Sequence, residues 1–344
     1  MGIELLQKLL SPLEPIYAGL SKAERLFFEK LDFLTFQTRA KVISIGNLSS
    51  GGTGKTPFLL EMLTWPCFPA RKVVLTRGYK SSYERSFFIL YGKEPHIGNI
   101  TDEALLVNLH FPGIPVLMGK NRFHSARMAE KLFSPEIIFL DDGFQYRRLR
   151  KDFEIVLWDS NDDPENVRLI PAGRFREPLS RLSHSDLLVL TKCDEVSSDR
   201  TKFLMSFFNQ NFPQLTTIKA CTKVSGMLDC TNLSVLTPVP EQKYFAFCAI
   251  ATPDSFIRIL ESVGGKIQGK RFFPDHYNFT TEDLISILTE AENLLAVPVC
   301  TEKDFVKIPR DIAKKMQLQA LLIRTEVADF PYDLLKKKLG TLAY

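Results

Sequence analysis

Lys41-Val42-Ile43-Ser44-Ile45 leads through Gly46-Asn47-Leu48 into Ser50-Gly51-Gly52-Thr53-Gly54-Lys55-Thr56, and this junction decides how the chain is read. An apolar strand before the glycines and a helix after them is the context a phosphate-binding loop needs. Glycine lets backbone N–H groups turn inward around phosphate oxygens, and the following helix N-terminus adds partial positive charge. In that frame Ser50, Gly51, Gly52, Thr53, Gly54, Lys55 and Thr56 cradle a nucleotide. Lys55 reaches its β- and γ-phosphates, and the Thr56 hydroxyl ligates Mg2+. The loop departs from G-x-x-x-x-G-K-[ST] at one place, where Ser49 occupies the first glycine position. An intact GGTGKT after a strand argues against a turn of no consequence.

Working outward, short apolar strands recur. Lys72–Thr76, Ile114–Met118, Glu136–Leu140, Glu154–Trp158 and Asp186–Thr191 follow the first, with a helix expected over Arg122–Phe133. Strands apolar on both faces suit a sheet covered by helices on both sides. Their alternation with helices predicts an α/β fold, a P-loop NTPase-like and mostly parallel sheet over residues 32–215. Residues 205–240 lose this rhythm and gain Thr, Gln, Pro and Ser, so a linker is expected at 216–240. A second, smaller α/β domain is expected over 241–344. It has strands at Tyr244–Ile250, Val297–Thr301 and Leu321–Ile323. One helix is opened by Thr252 as N-cap with Pro253 at its first position, and Gly264-Gly265 stop it. Another covers Thr280–Leu294, with Thr280 and Asp283 at capping-box spacing.

Composition bounds the function. A chain of 344 residues suggests about two domains. With 45% hydrophobic and 24% charged residues it is neither disordered nor collagen-like. A net charge of +4 is too small to imply a nucleic-acid partner, while an acidic substrate fits. None of the six cysteines stands at C-x-x-C spacing, which reads as reduced thiols in a cytosolic compartment. No run reaches about 18 apolar residues, so no membrane-spanning helix is expected.

Residues 1–31 stand apart. Leu5, Leu6, Leu9, Leu10, Leu13, Ile16, Tyr17 and Leu20 recur at helical spacing, interrupted by Pro12 and Pro15, and Lys and Arg are balanced by Glu. Two readings stand: a helix packed on the core, or an amphipathic segment in a membrane interface held by apolar burial.

Further candidates lie downstream. The strand ending in Asp141-Asp142-Gly143 has the form that supplies a second Mg2+ contact in P-loop enzymes. Thr191-Lys192-Cys193-Asp194 is like the turn by which GTPases read guanine, but Lys-x-Asp after a strand is also a common loop. Arg168, Arg174, Arg176 and Arg181 face only Glu177 within their segment, and Arg forks suit phosphate oxygens. Lys120 and Arg122 are further candidates for phosphate contact.

Several of these segments together resemble the tetraacyldisaccharide 4′-kinases, the lipid A 4′-kinase family. The resemblance rests on Ile45-Gly46-Asn47-Leu48 with GGTGKTP, Thr76-Arg77-Gly78-Tyr79 and Asp102-Glu103-Ala104-Leu105-Leu106. It rests further on Asp141-Asp142-Gly143-Phe144-Gln145-Tyr146-Arg147-Arg148, Pro171-Ala172-Gly173, Arg176-Glu177-Pro178-Leu179, Asp275-His276 and Thr301-Glu302-Lys303-Asp304. The matches run in order from about residue 42 to 307.

The resemblance implies transfer of the ATP γ-phosphate to the 4′-hydroxyl of a tetraacyldisaccharide 1-phosphate, giving lipid IVA. It implies a two-domain α/β protein attached by its N-terminal helix to the cytoplasmic face of an inner membrane, as in Gram-negative-type bacteria, which tips residues 1–31 towards the interface; a monomer is expected. It implies Asp102 as the base, with His276 paired to it and Asp275 beside them, so that two domains must close on each other. It places Glu177 near the metal and nucleotide, beside the strand-end candidates Asp141 and Asp142, while Arg77, Tyr79, Lys120, Arg122 and Arg176 are the candidates for substrate contact. It assigns Thr301–Asp304 no further role.

Departures from the family pattern are Tyr146 in place of His, Arg174-Phe175 before Arg176-Glu177-Pro178, and Thr101 and Ala104 around Asp-Glu. They put acyl-chain preference in doubt and remove no proposed chemical group. The competing reading is a P-loop switch ATPase of the deviant-Walker type, but Ser49 and Ser50 occupy the stretch where that class wants a Lys.

Overall fold

The computed structural model describes residues 9–31, 35–79, 81–92 and 100–340. Its strands are β1 (Lys41–Asn47), β2 (Lys72–Thr76), β3 (Phe88–Leu90), β4 (Val116–Met118), β5 (Ile137–Asp141), β6 (Phe153–Asp159), β7 (Leu187–Thr191), β8 (Thr216–Asp229), β9 (Ser234–Leu236), β10 (Lys243–Cys248), β11 (Lys266–Phe272), β12 (Val297–Thr301) and β13 (Gln319–Ala328). They form one sheet in the order β11-β10-β12-β13-β8-β7-β6-β1-β5-β2-β4-β3, with β9 paired to β8. All neighbours are parallel except β13 with β8, β3 with β4 and β8 with β9.

Burial explains the expected strands. Val42 to Asn47 are all buried, as are β5, β6 and β7 throughout. The phosphate loop leaves β1, which lies between β5 and β6. The chain therefore reverses direction across the sheet at that strand, where α/β folds open a binding crevice.

The expected linker at 216–240 is corrected by the structure. Residues 216–229 form the long strand β8, which pairs in parallel with β7 and antiparallel with β13, joining both halves of the sheet. Its pattern was obscure because it is only half buried: polar Lys219, Lys223 and Ser225 alternate with inward Ile218 and Ala220. In the C-terminal half the Thr280–Asp283 capping box forms around the helix Thr281–Asn293. Thr252 flanks the helix Pro253–Ser262 but makes no side-chain cap, a small departure from the expected N-cap.

Residues 1–8, with Leu5 and Leu6 of the expected apolar face, lie outside the described residues. A helix spans Glu14–Lys30. Its polar side attaches to the body. The Tyr17 hydroxyl donates to the Arg176 carbonyl at 3.1 Å, Ser21 donates to Glu177 at 3.2 Å, and Arg147 reaches Glu24 at 2.8 Å. Leu13, Ile16, Leu20 and Phe27 face outward, with Ile16 and Leu20 59% and 67% exposed. This spacing puts them on one stripe of the helix. No helix among the described residues is long and apolar enough to cross a membrane.

Candidate active site

The phosphate loop is shaped by backbone conformations that glycine allows. Gly51 and Gly54 have φ of 119° and 80°, the region side chains avoid. Gly54 precedes the helix Lys55–Thr64. The loop is tied down at both ends, by Ser50 N–H to the Arg174 carbonyl at 2.7 Å and by the Thr191 hydroxyl to the Thr53 carbonyl at 3.0 Å. Beneath it, a Cβ at Gly46 would stand 2.8 Å from the Phe144 backbone nitrogen. The strand carrying the loop therefore packs directly on the turn carrying Asp141 and Asp142.

These two carboxylates have different surroundings. Asp142 lies 3.5 Å from the Lys55 ammonium and accepts from Arg176 at 2.9 and 3.1 Å. Burial works against its charge, but Lys55 and Arg176 outweigh it and hold the carboxyl well below the usual range. Lys55 and Arg176 also share Asn47 Oδ1, at 3.1 and 2.7 Å. Among the described residues, Asp141 accepts from the Thr76 hydroxyl at 3.3 Å, and its buried Oδ1 has no hydrogen-bond partner. Burial, then the Glu103 and Asp142 carboxylates, push its carboxyl up to about 7. A buried carboxylate oxygen without a donor beside a phosphate loop fits a divalent cation, so the residues present suit Mg2+.

The second cluster joins distant parts of the chain. Asp102 begins the helix Asp102–His110; the N-cap is Thr101, whose hydroxyl accepts from Ala104 N–H. His276 Nδ1 lies 3.0 and 3.1 Å from the Asp102 carboxylate oxygens, and its Nε2 lies 3.7 Å from Asp275. Burial alone would raise Asp102, but the His276 hydrogen bond and the Lys303 ammonium hold it well below the carboxylate range. His276 is raised above its ordinary value, chiefly by that same hydrogen bond. Glu103 is pushed up by burial and by Asp102. Asp102, Glu103 and His276 come close enough to share a cation, but Lys303 already stands 3.4 and 3.8 Å from the two carboxylates. The contact expected to need domain closure is thus present in the structure as it stands.

One cleft of about 690 Å³ connects the clusters. Ser50 to Thr56, Arg77, Tyr79, Asp141, Asp142, Arg176, Asp275 and His276 line it, as do Glu103 and Lys303, which the sequence did not place there. Its far wall is apolar: Ile250, Phe256 and Ile259 face Leu321 and Ile323. Asp142, Lys192 and His276 line it with φ between 48° and 64°, a strained conformation for these residues that gathers at functional sites.

Other expected residues lie elsewhere. Glu177 is 2% exposed and pairs with Arg147 at 2.9 Å and with Ser21, so it holds the N-terminal helix and is not brought to the loop. Arg122 is buried over the Tyr146 ring and donates to the Asp142 carbonyl at 3.3 Å, supporting the turn from behind. Lys120 is exposed and does not line the cleft. Arg77 binds Glu84 at 2.8 Å and covers the Tyr79 ring. Arg168, Arg174 and Arg181 face Glu14, Asp162 and Glu154. Asp194 of the Thr191–Asp194 turn accepts from the Thr222 N–H at 2.6 Å and does not line the cleft.

Comparison with known proteins agrees with this geometry. The family model for tetraacyldisaccharide-1-P 4′-kinase matches residues 6–340. The tetraacyldisaccharide 4′-kinase of Halothermothrix orenii is 33% identical over 330 residues, covering 89% of this chain and 84% of that protein. That of Desulfotalea psychrophila is 31% identical over 342 residues, covering 94% of each. Among solved structures, the "apo" form of LpxK from Aquifex aeolicus in complex with ATP superposes with a TM-score of 0.74 at 26% identity, covering 98% of this chain and all of that one. The chain belongs to the tetraacyldisaccharide-1-P 4′-kinase family.

Proposed function

We propose how this chain's residues divide the work of the family's reaction. The chain is an ATP-dependent kinase acting on the 4′-hydroxyl of the tetraacylated disaccharide 1-phosphate, and the switch-ATPase alternative is not favoured. The observation that carries the proposal is the shared cleft, lined by the phosphate loop and by His276, whose ring is hydrogen-bonded to the buried Asp102 just behind it.

A sugar hydroxyl is a weak nucleophile and needs a base as it attacks. Asp102 stays anionic at neutral pH, and His276 holds its carboxylate in place. The acceptor proton passes to this pair as the acceptor oxygen bonds to the γ-phosphorus. The bond between that phosphorus and the β–γ bridging oxygen breaks, and ADP leaves with the bridging oxygen. Lys55 exchanges Asn47 and Asp142 for the β- and γ-phosphate oxygens. Asp141 and Thr56 would hold Mg2+, which when bound spreads the charge of the phosphate oxygens. Arg176 keeps Asp142 charged and turned towards Lys55. Arg77 and Tyr79 lie at the cleft wall where the disaccharide enters.

The outward stripe of Leu13, Ile16, Leu20 and Phe27 supports attachment of the N-terminal helix to the cytoplasmic face of the inner membrane, where the fatty acceptor resides. Because the segment's charges balance, apolar burial carries this attachment.

The direct test is transfer of labelled γ-phosphate from ATP to tetraacyldisaccharide 1-phosphate, with product analysis for the 4′-phosphate. Asp102→Ala phosphorylating at the wild-type rate would sink the assignment of the base. For the membrane, Leu13→Ser/Ile16→Ser/Leu20→Ser lowers the partition onto zwitterionic vesicles by about 100-fold, given roughly 1.5–3 kcal/mol per fully buried side chain and only partial burial here. Unchanged flotation with the vesicles refutes attachment by this face.

A further inference from the structure

Thr301-Glu302-Lys303-Asp304 has no part in the chemistry above, yet it reaches the base pair from three sides. The Lys303 ammonium lies 3.4 Å from Asp102, 3.8 Å from Glu103 and 3.9 Å from Asp275. Glu302, 6% exposed, pairs with His110 at the far end of the helix that Asp102 begins. Asp304 is fully buried and accepts from Ala249 N–H at 3.0 Å and from the Thr301 hydroxyl at 2.6 Å. The Ala249 carbonyl in turn accepts from His276 N–H at 3.2 Å. One short turn is therefore fastened to the helix of Asp102 by one side chain and to the loop of His276 by another, with an ammonium between them.

We propose that Lys303 is a positioning residue for the phosphoryl transfer: held by the Glu302 and Asp304 anchors, its ammonium draws Asp102 and Asp275 around His276 and keeps the pair ready to take the acceptor's proton. The inference rests on the reading of Asp102 as base. Its physical ground is the crowding of like charge. Asp102, Glu103 and Asp275 converge on one point, and without a cation they would repel one another. Lys303 lies in that point, and Lys307, on the same turn, adds a weaker positive field at Asp102. Asp141 faces Glu103 from β5. Lys303 makes both Asp102 and His276 release a proton more readily. Its removal therefore tightens proton binding whichever of the two carries the proton.

The experiment compares wild type, Lys303→Met, Lys303→Arg and Asp102→Asn as full chains. It measures kcat and KM for ATP with saturating glycolipid, and the pH profile of kcat. Lys303→Met is expected to lower kcat by about 30-fold with KM for ATP within about twofold, in keeping with loss of a charged hydrogen-bonding partner. Its acid limb moves to higher pH, and Lys303→Arg recovers most of the rate. Wild-type kcat and an unmoved limb in Lys303→Met overturn the proposal. So does a raised KM for ATP at unchanged kcat, which would make Lys303 a phosphate contact. Lys303→Arg as slow as Lys303→Met also overturns it, since side-chain fit and not charge would then be at work. If Lys303→Met loses its fold by circular dichroism, Lys303→Gln is judged by the same readings. Full activity in Asp102→Asn defeats the base assignment itself. Loss there with no effect at Lys303 defeats only this inference.

Discussion

Seven consecutive residues, Ser50 to Thr56, make the phosphate loop, whereas the Asp102–His276 pair joins side chains 174 positions apart. The loop's shape comes from its own backbone, through positive φ at Gly51 and Gly54 and the helix that follows. The pair has no such local source. Asp102 stands at a helix start in the N-terminal half of the sheet, and His276 in a loop that leaves β11 in the C-terminal half. Within the sheet the two halves join where β8 pairs with both β7 and β13. By our reading the phosphate cradle is thus written locally, and phosphoryl transfer depends on both halves of the sheet. The contrast predicts that damage to one region leaves the other's task largely intact.

The largest effect is expected at the pair. Asp102→Asn keeps the shape and removes the proposed base, so kcat falls by about 1,000-fold, within the usual range for general-base catalysis. Binding of ATP, measured by calorimetry, stays within roughly twofold because the loop is untouched. A similar loss in both quantities would show that the two regions are not separable.

The same contrast explains what was legible in the sequence. The loop, the Asp141-Asp142 turn and the buried strands β1, β2, β5, β6 and β7 are contiguous and apolar, so spacing alone reveals them. β8 and β11 were missed because neither is an apolar run. β11 reads Lys-Ile-Gln-Gly-Lys-Arg-Phe and alternates exposed with half-buried residues at the sheet edge. The pairing of Asp102 with His276 came only from family likeness, since no local pattern links residues so far apart. Lys303 was seen within its motif but without a role, because the carboxylates that define it arrive from residues 102, 103 and 275. Family likeness puts Glu177 near the metal. Its side chain turns the other way, to Arg147, because Arg176 beside it takes Asp142.

A second effect is expected on the other side of the comparison. Lys55→Met removes the cation that binds Asp142 and, by our reading, the phosphates. Loss of charge-assisted hydrogen bonds lowers kcat/KM for ATP by about 100-fold. The Asp102–His276 contact is left in place, so the His276 titration is unchanged in this variant. A shifted histidine resonance would mean that the loop shapes the pair.

A third effect is on stability. Gly46→Ala forces a Cβ to within 2.5 Å of Phe144 Cβ and 2.8 Å of its backbone nitrogen. Backbone cannot swing aside as a side-chain tip can, so the cost is about 1–3 kcal/mol by denaturant unfolding. Gly52→Ala meets nothing within 4 Å and its φ lies outside the positive region, so its unfolding midpoint stays near that of wild type. Equal stability of the two variants would show that the strand and the Asp141-Asp142 turn are not packed as tightly as their contact implies.

The smallest effect concerns the charge state of the pair. The Asp102 hydrogen bond raises His276 above its ordinary value, and burial only partly offsets this. A histidine raised in the folded state binds its proton more tightly there than in the unfolded chain. Its contribution to stability is therefore fully present below the unfolded value near 6.5 and is lost as pH rises through the raised folded value. Asp102→Asn removes the partner, so the His276 titration followed by NMR moves to lower pH. The difference in unfolding free energy between wild type and this variant should narrow as pH rises through the His276 transition, because neutral imidazole loses the charge-assisted part of the bond. A difference that instead stays constant through that transition would mean that Asp102 is stabilised mainly by Lys303. The pair would then be a lysine–carboxylate contact with the histidine as bystander.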